Sequence, residues 1–347
     1  MKKILLHRHG AYGDCIHCSH LPRLFKEHGW DYVGISTGKK GQEIFHNNPF
    51  VDKMYTIEYG GKCSRHFFVT RLKILCEDYD EVIDLTHSLE VRALAMEGQN
   101  EYFQHQRFRN EMGKDNYYDI STKWAGHPEL VGKYRGEVFY TPEEYKIVEN
   151  DLLREGRFKD NFRIMINTSG TSPHKVTANA PELYPLILER YPEAVIFTTG
   201  DKAGEEWNFH GDSPRVRKLS GNKGFRQVLC MVKYMDCVIG AESGMMVGAS
   251  MWDVPTIQLM TAAAIHTHCK YAKNDYSLQS PARCSPCYKG PHDYYGCPKR
   301  DDLPLCVYFN TETIMEQIGK IYAKWRSNRE KTVSEVSQEA TAELSAV

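Results

Sequence analysis

Three short turns in this 347-residue chain carry residue types suited to moving a proton or holding phosphate. The first is Gly10-Ala11-Tyr12-Gly13-Asp14. Its glycines let a ligand approach the backbone, and a helix starting there favours negative charge in its first turn. Asp14 is therefore a candidate general base, a carboxylate that takes the proton of a hydroxyl as its oxygen attacks an electrophilic carbon. Aspartate is also a favoured helix cap, so an isolated G-x-x-G-D carries a purely structural alternative. The second turn, Asn167-Thr168-Ser169-Gly170-Thr171-Ser172-Pro173-His174-Lys175, gathers hydroxyls, a glycine and one lysine. A diphosphate fits such a turn, with Lys175 balancing the charge of a leaving phosphate, although solvated loops have the same composition. The third, Gly240-Ala241-Glu242-Ser243-Gly244-Met245-Met246, would offer backbone N–H groups to phosphate oxygens.

Each turn follows an apolar run and precedes a helical pattern. Lys3 to His7 reads as a buried strand, and Cys15 to Gly29 as a helix ending at glycine. Tyr32 to Ser36 and Glu81 to Leu85 supply further strands. The pattern restarts with strands at Phe162 to Asn167, Ala194 to Gly200, Cys237 to Gly240 and Thr256 to Leu259, with helices at Pro181 to Tyr191, Phe225 to Tyr234 and from Gly244 to Met251. Alternating strands and helices imply parallel sheets, here in two doubly wound halves. Ligands of such sheets bind at the carboxyl ends of the strands, where all three turns fall, so one shared cleft is expected. Glu97 to Tyr140 is polar and aromatic with weak periodicity and reads as irregular structure. Thr141-Pro142-Glu143-Glu144 reads as a capped helix start.

The length suits two domains of about 150 residues. With 44 basic and 45 acidic side chains, no net field draws the chain to nucleic acid or to an anionic membrane. No run of about 18 apolar residues occurs, and the opening is too short in its apolar part for a signal peptide, so a cytoplasmic location is expected. Eleven cysteines in that compartment stay reduced. Cys284, Cys287, Cys297 and Cys306, spaced C-x2-C-x9-C-x8-C, are candidates for a structural zinc site, with packing thiols or a disulfide as alternatives. Four thiolates leave no open position for catalysis at such a metal. Lys62, Arg65, His66 and Arg71 form a basic cluster that reads either as a solvated surface or as a weak acceptor-binding patch. His7 and His9 share one strand face.

The first strand with Gly13-Asp14 at its helix start, followed by Asn48-Pro49-Phe50-Val51-Asp52 and Val82-Ile83-Asp84-Leu85, resembles the heptosyltransferases, glycosyltransferase family 9. Asn167 to Lys175 is similar to that family's phosphate-binding turn and Thr198-Thr199-Gly200 to its next strand. Ile239-Gly240-Ala241-Glu242-Ser243-Gly244 is similar to its G-[ND]-[TS]-G signature. Val254-Pro255-Thr256 and Cys284-Ser285-Pro286-Cys287 fit the continuation, so the match is spread over about residues 3 to 310.

The resemblance implies an α/β chain of GT-B architecture, two Rossmann-like domains facing a cleft. Residues 1–155 would be the acceptor-side domain, 156–310 the nucleotide-sugar domain, 311–326 a last helix and 327–347 a flexible tail. It implies metal-independent, inverting transfer of a sugar, with heptose a candidate, from a nucleotide-sugar, with ADP favoured, to a glycan or glycolipid hydroxyl. Asp14 would be the base, Thr171 and Lys175 would meet the diphosphate, and Ser243 and Gly244 the phosphates. Gly13, Thr168, Gly170, Gly200 and Glu242 complete the candidate donor site. Glu242 stands where the family usually has aspartate, and Val247 where some members carry histidine, which leaves the donor sugar open.

Other readings compete. Arg8-His9-Gly10 is similar to the R-H-G turn of histidine phosphatases, but Ala11-Tyr12-Gly13-Asp14 departs from their continuation. A sugar-nucleotide epimerase, a binding protein without activity, or a phage-type transferase acting on a modified DNA base would keep the same fold. The balanced charge disfavours the last.

Overall fold

A computed structural model of the chain describes residues 1–57, 75–85, 114–153, 158–220, 223–288 and 297–345. The basic cluster Lys62, Arg65, His66 and Arg71 lies outside these residues.

Ile4, Leu5 and Leu6 are buried along β1 (Lys3–His7), as a strand covered on both faces requires. β1 pairs in parallel with β2 (Tyr32–Thr37) and β4 (Glu81–Asp84), and β2 with β3 (Lys53–Thr56), giving the order β3-β2-β1-β4. The second sheet contains β5 (Phe162–Asn167), β6 (Ala194–Thr199), β7 (Val216–Lys218), β8 (Cys237–Ala241), β9 (Thr256–Met260) and β10 (Leu278–Gln279). Its order, β10-β9-β8-β5-β6-β7, is parallel throughout and corresponds to the dinucleotide-binding order 3-2-1-4-5-6 read from the other edge. The order reverses between β5 and β8, and between β1 and β4 in the first sheet. Ligand crevices of doubly wound sheets open at such points.

The expected helix from Cys15 to Gly29 is two helices, α1 (Tyr12–Cys18) and α2 (Leu21–Glu27). Pro22 in the first turn of α2 explains the restart, because a proline is tolerated there and breaks a ladder further in. α3 (Lys39–Phe45) follows β2. Within the stretch read as irregular, α4 (Tyr117–Trp124) is a helix capped by Asn116, whose Oδ1 accepts from the Tyr118 amide at 3.0 Å. α5 (Pro142–Leu153) begins as expected. Thr141 Oγ1 accepts from the Glu144 amide and Glu144 Oε2 from the Thr141 amide, a reciprocal capping box.

α6 (Ala180–Arg190), α7 (Phe225–Val232), α8 (Gly244–Met251) and α9 (Ile265–Cys269) accompany the second sheet. Every residue of α8 after Gly244 is buried, because this helix lies in the middle of the molecule. One apolar cluster runs from Ile4, Leu6 and Phe25 through Met246, Val247 and Leu229 to Met165 and Phe197 on the inner face of the second sheet. A second cluster covers the outer face, where α6 and the start of α10 (Thr311–Ser345) bury Leu183, Ile187, Ile314, Ile318 and Ile321. α10 is a single helix and does not stop near residue 326, where the loss of apolar spacing predicted its end. None of the helices among the described residues is long and apolar enough to cross a membrane.

Candidate active site

β1 delivers the chain into the turn that carries Asp14. Gly10 has φ +144°, and a Cβ there would stand 2.6 Å from Asp14 Oδ2, so only glycine leaves room for the carboxylate. Asp14 Oδ2 accepts from the Ala11 amide at 2.8 Å, and Oδ1 faces Arg8 Nη2 at 3.3 Å. The capping contact and a charged pairing therefore coexist in one carboxylate whose side chain remains 37% exposed. Arg8 is buried and also donates to the Leu85 carbonyl at the end of β4, which anchors it across the switch point of the first sheet.

The second turn is fastened by its own side chains. Thr168 is fully buried and its hydroxyl donates to the Thr199 carbonyl at 3.1 Å, while a Cβ on Gly200 would lie 2.3 Å from that hydroxyl. Thr168 and Gly200, expected to touch a donor, thus lock the ends of β5 and β6 together. Ser169 Oγ donates to Asp201 Oδ1 at 2.7 Å. Thr177 Oγ1 donates to the Asn167 carbonyl at 2.7 Å and accepts from the Ala241 amide at 3.1 Å, which ties this turn to the third. Gly170 packs against Lys175 and the Glu242 carbonyl, at 2.9 and 3.6 Å from where its Cβ would be. Thr171 is exposed and Lys175 half-buried. Among the described residues no carboxylate pairs with Lys175, so its ammonium remains available to an anion.

In the third turn Ser243 caps α8, its Oγ accepting from the Met246 amide at 3.5 Å and from Asn167 Nδ2 at 3.2 Å. Glu242 is buried, and its Oε2 accepts from the Ala263 amide at 3.3 Å. The first and third turns meet backbone to backbone. A Cβ on Gly244 would come 2.8 Å from the Gly13 nitrogen, and one on Gly13 would come 3.3 Å from the Gly244 Cα. Beside this contact Tyr12 stacks on Phe225 with centroids 3.7 Å apart. Arg226 holds both Glu144 carboxylate oxygens, at 2.6 and 2.9 Å, and the Glu43 and Phe139 carbonyls. On the opposite flank, buried Asp119 of α4 accepts from Lys270 Nζ at 2.7 Å and from the Tyr271 hydroxyl. Through these contacts the turns that carry Asp14, Gly170 to Lys175, and Glu242 to Gly244 are neighbours in space.

The comparisons agree with this architecture. No family profile matches the sequence. Lipopolysaccharide heptosyltransferase 1 of Campylobacter coli is 22% identical over 274 residues, 70% of this chain and 79% of that protein. The glycosyltransferase family 9 protein of Veillonella parvula superposes with a TM-score of 0.68 at 13% identity, covering 93% of this chain and 97% of that one. The E. coli ADP-heptose lps heptosyltransferase II gives 0.65 at 12% identity, covering 94% and 100%. The chain has the GT-B fold of the heptosyltransferases.

The heptosyltransferase-like cleft also contains residues that the sequence pattern did not single out. His17 of α1 and His268 of α9 meet with ring centroids 5.6 Å apart. Burial, then the charges of Arg8, His20 and Lys175, push the His17 imidazole down to about 3, so it is neutral. Burial, His17 and Lys175 hold His268 well below its ordinary value, with Asp14 opposing them. Lys175 thus bears on both rings and Asp14 on one. The available signal was the spacing of Asp14 and His17, one helical turn apart on one face of α1.

The zinc site expected at Cys284, Cys287, Cys297 and Cys306 does not form. None of the four is in a disulfide, yet no three His, Cys, Asp or Glu side chains among the described residues could hold one ion. Cys284 is exposed, Cys287 and Cys297 are half-buried and Cys306 is buried. They remain neighbours: burial pushes the Cys306 thiol up to about 12, with Cys287, Cys284 and Cys297 adding to the effect.

Proposed function

We propose that this heptosyltransferase-like chain transfers a glycosyl unit from a nucleoside-diphosphate sugar, ADP-linked and with heptose the leading sugar, to a hydroxyl of a glycan or glycolipid. The observation that supports the reading is that the Asp14 turn meets the Ser243-Gly244 turn through Gly13 and Gly244, while Gly170 packs between Lys175 and Glu242, at the strand ends beside the two switch points. Asp14 takes the acceptor proton as the acceptor oxygen attacks the anomeric carbon from the face opposite the diphosphate. The carbon–oxygen bond to phosphate breaks, the nucleoside diphosphate leaves, and the anomeric centre inverts. Lys175 neutralises the charge that develops on the leaving diphosphate, with Thr171 beside it. The Ser243 and Gly244 amides at the start of α8 receive phosphate oxygens. These groups supply the charge stabilisation from the protein alone, which is the sense in which transfer is metal-independent.

Residues 1–155 would hold the acceptor and 156–310 the donor. We place the chain in the cytoplasm, the compartment that keeps thiols reduced. The first test is a thermal-unfolding panel with ADP, UDP, GDP and CDP, because a bound nucleotide raises apparent stability by mass action. A shift with ADP, and a larger one with ADP-heptose, supports the reading. A preference for another base retires the ADP-sugar, and no shift with any nucleotide retires the transferase.

A further inference from the structure

We propose that His17 and His268 form a subsite for the uncharged hydroxyls of a sugar ring, within the cleft that Asp14 and Lys175 border. The proposal rests on the transferase reading and deepens it. His17 comes from the first sheet's side on α1 and is 7% exposed, and His268 comes from the second sheet's side on α9. Their rings meet edge to face at 65°, and Tyr117 stands edge-on to both, with centroids at 5.2 Å from His17 and 4.7 Å from His268. His17 Nε2 and His268 Nδ1 are both buried without a hydrogen-bond partner. A buried nitrogen left unsatisfied destabilises a fold, so two of them on rings that meet where α1 and α9 come together call for an explanation.

A sugar hydroxyl supplies one. It donates and accepts at once, and so satisfies a neutral imidazole in either tautomer. A phosphate oxygen only accepts, and it is better served by Lys175 and by backbone amides. His17 lies one helical turn beyond Asp14 along α1 and brings His268 with it, which suits a glycosyl unit whose anomeric carbon is near the base and whose diphosphate is near Lys175. Tyr117 adds an aromatic wall of the kind that packs on the apolar C–H surface of a sugar ring. His20 Nδ1 is also unpartnered, but its Nε2 contacts Thr122 Oγ1 at 2.9 Å and its ring neighbours, Tyr118 and Tyr134, both belong to the first sheet's side. It bridges nothing.

The test uses the full chain with His17→Phe and His268→Phe, which keep a flat ring and delete the nitrogens. Binding of ADP and of ADP-heptose is measured by titration calorimetry, and folding by thermal unfolding. The expected result is unchanged ADP affinity, ADP-heptose affinity lowered roughly tenfold per ring, and stability equal to or above that of the parent. His17→Gln, which restores a hydrogen-bonding group, should recover part of the loss. If the ADP-heptose advantage survives but the KM for the acceptor glycan rises, the hydroxyls recognised are the acceptor's and the subsite stands. If neither moves while ADP still binds, the subsite is wrong and the transferase reading is untouched. If the unsubstituted chain binds neither ADP nor ADP-heptose, both fall. Should His17→Phe fail to fold, His268→Phe carries the same test from the shorter helix.

Discussion

At the end of the second sheet, Asn167, Thr168, Ser169 and Thr177 each tie their turn to a neighbouring strand or loop, whereas at the end of the first sheet one carboxylate rests on a single amide and a single guanidinium. The difference follows the chemistry asked of each. A diphosphate carries several charges that stay in place, so its cradle gains from rigid, pre-paired dipoles. A base must receive a proton and release it, so it needs one group that is oriented yet left partly open to solvent. The phosphate-facing side is built from backbone and hydroxyls, and the acid–base side from one ion pair.

The contrast can be broken experimentally, and the largest effect should come from its least supported residue. Asp14→Ala should lower transfer by about 10³-fold or more while ADP affinity stays within about twofold, checked by turnover and calorimetry on one preparation. Equal turnover would remove Asp14 from the reaction.

Acid should act on both sides, through His17 and His20 on the first and through His174 and His268 on the second. His17 and His20 are held neutral at about 3 by burial, and His174 near the second turn at about 4. Because these values lie below the unfolded value of about 6.5, the unfolded chain binds more protons beneath that pH. Their contribution is therefore complete above about pH 6.5 and is lost as pH falls toward 3, at about 1.4 kcal/mol per pH unit for each ring. Hydrogen exchange at pH 7 and pH 5 should show the histidine-bearing helices α1, α2 and α9 loosening before β5 and β6, and a uniform response would contradict this assignment.

Lys175→Ala should weaken ADP-sugar binding by about 10- to 100-fold, through loss of a charge-assisted contact worth about 1.5–3 kcal/mol, with little change in stability. An unchanged Kd would show that the lysine is not at the phosphates. Gly244→Ala should destabilise the fold by about 1–3 kcal/mol, since the new methyl meets backbone rather than a flexible side chain. Thr177→Val should cost about 1 kcal/mol and slightly reduce ADP affinity, because it unties the second turn from the third. A stable, fully active Thr177→Val would mean that the cradle is held from elsewhere.

Much of this was legible from residue order. Strand runs such as Ile4 to Leu6 and Ile164 to Ile166 announce themselves because a parallel strand covered on both faces is apolar throughout. The three turns were legible because glycine and aspartate occur where strand gives way to helix. What escaped depends on contacts between distant segments. The division of the helix after Cys18 goes with Pro22, a local signal placed in the first turn of α2. Thr168 and Gly200 carried donor-binding composition, and the structure adds that the Thr168 hydroxyl donates to the Thr199 carbonyl with Gly200 packed beside it. His268 gave no sign at all, since only folding brings α9 against α1. The cysteines differ again: their spacing suits a metal, while among the described residues no three such side chains are placed to hold one.

The meeting of Gly13 and Gly244 has a consequence for how such a chain can change over generations. Most core contacts tolerate drift, because a gain of volume on one side is answered by a loss on the other. Here both partners are already the smallest residue there is. No second substitution can make room for a side chain at Gly244, so the two positions, far apart along the chain, are inherited as a single unit, and lineages that lose one must rebuild the turn around it.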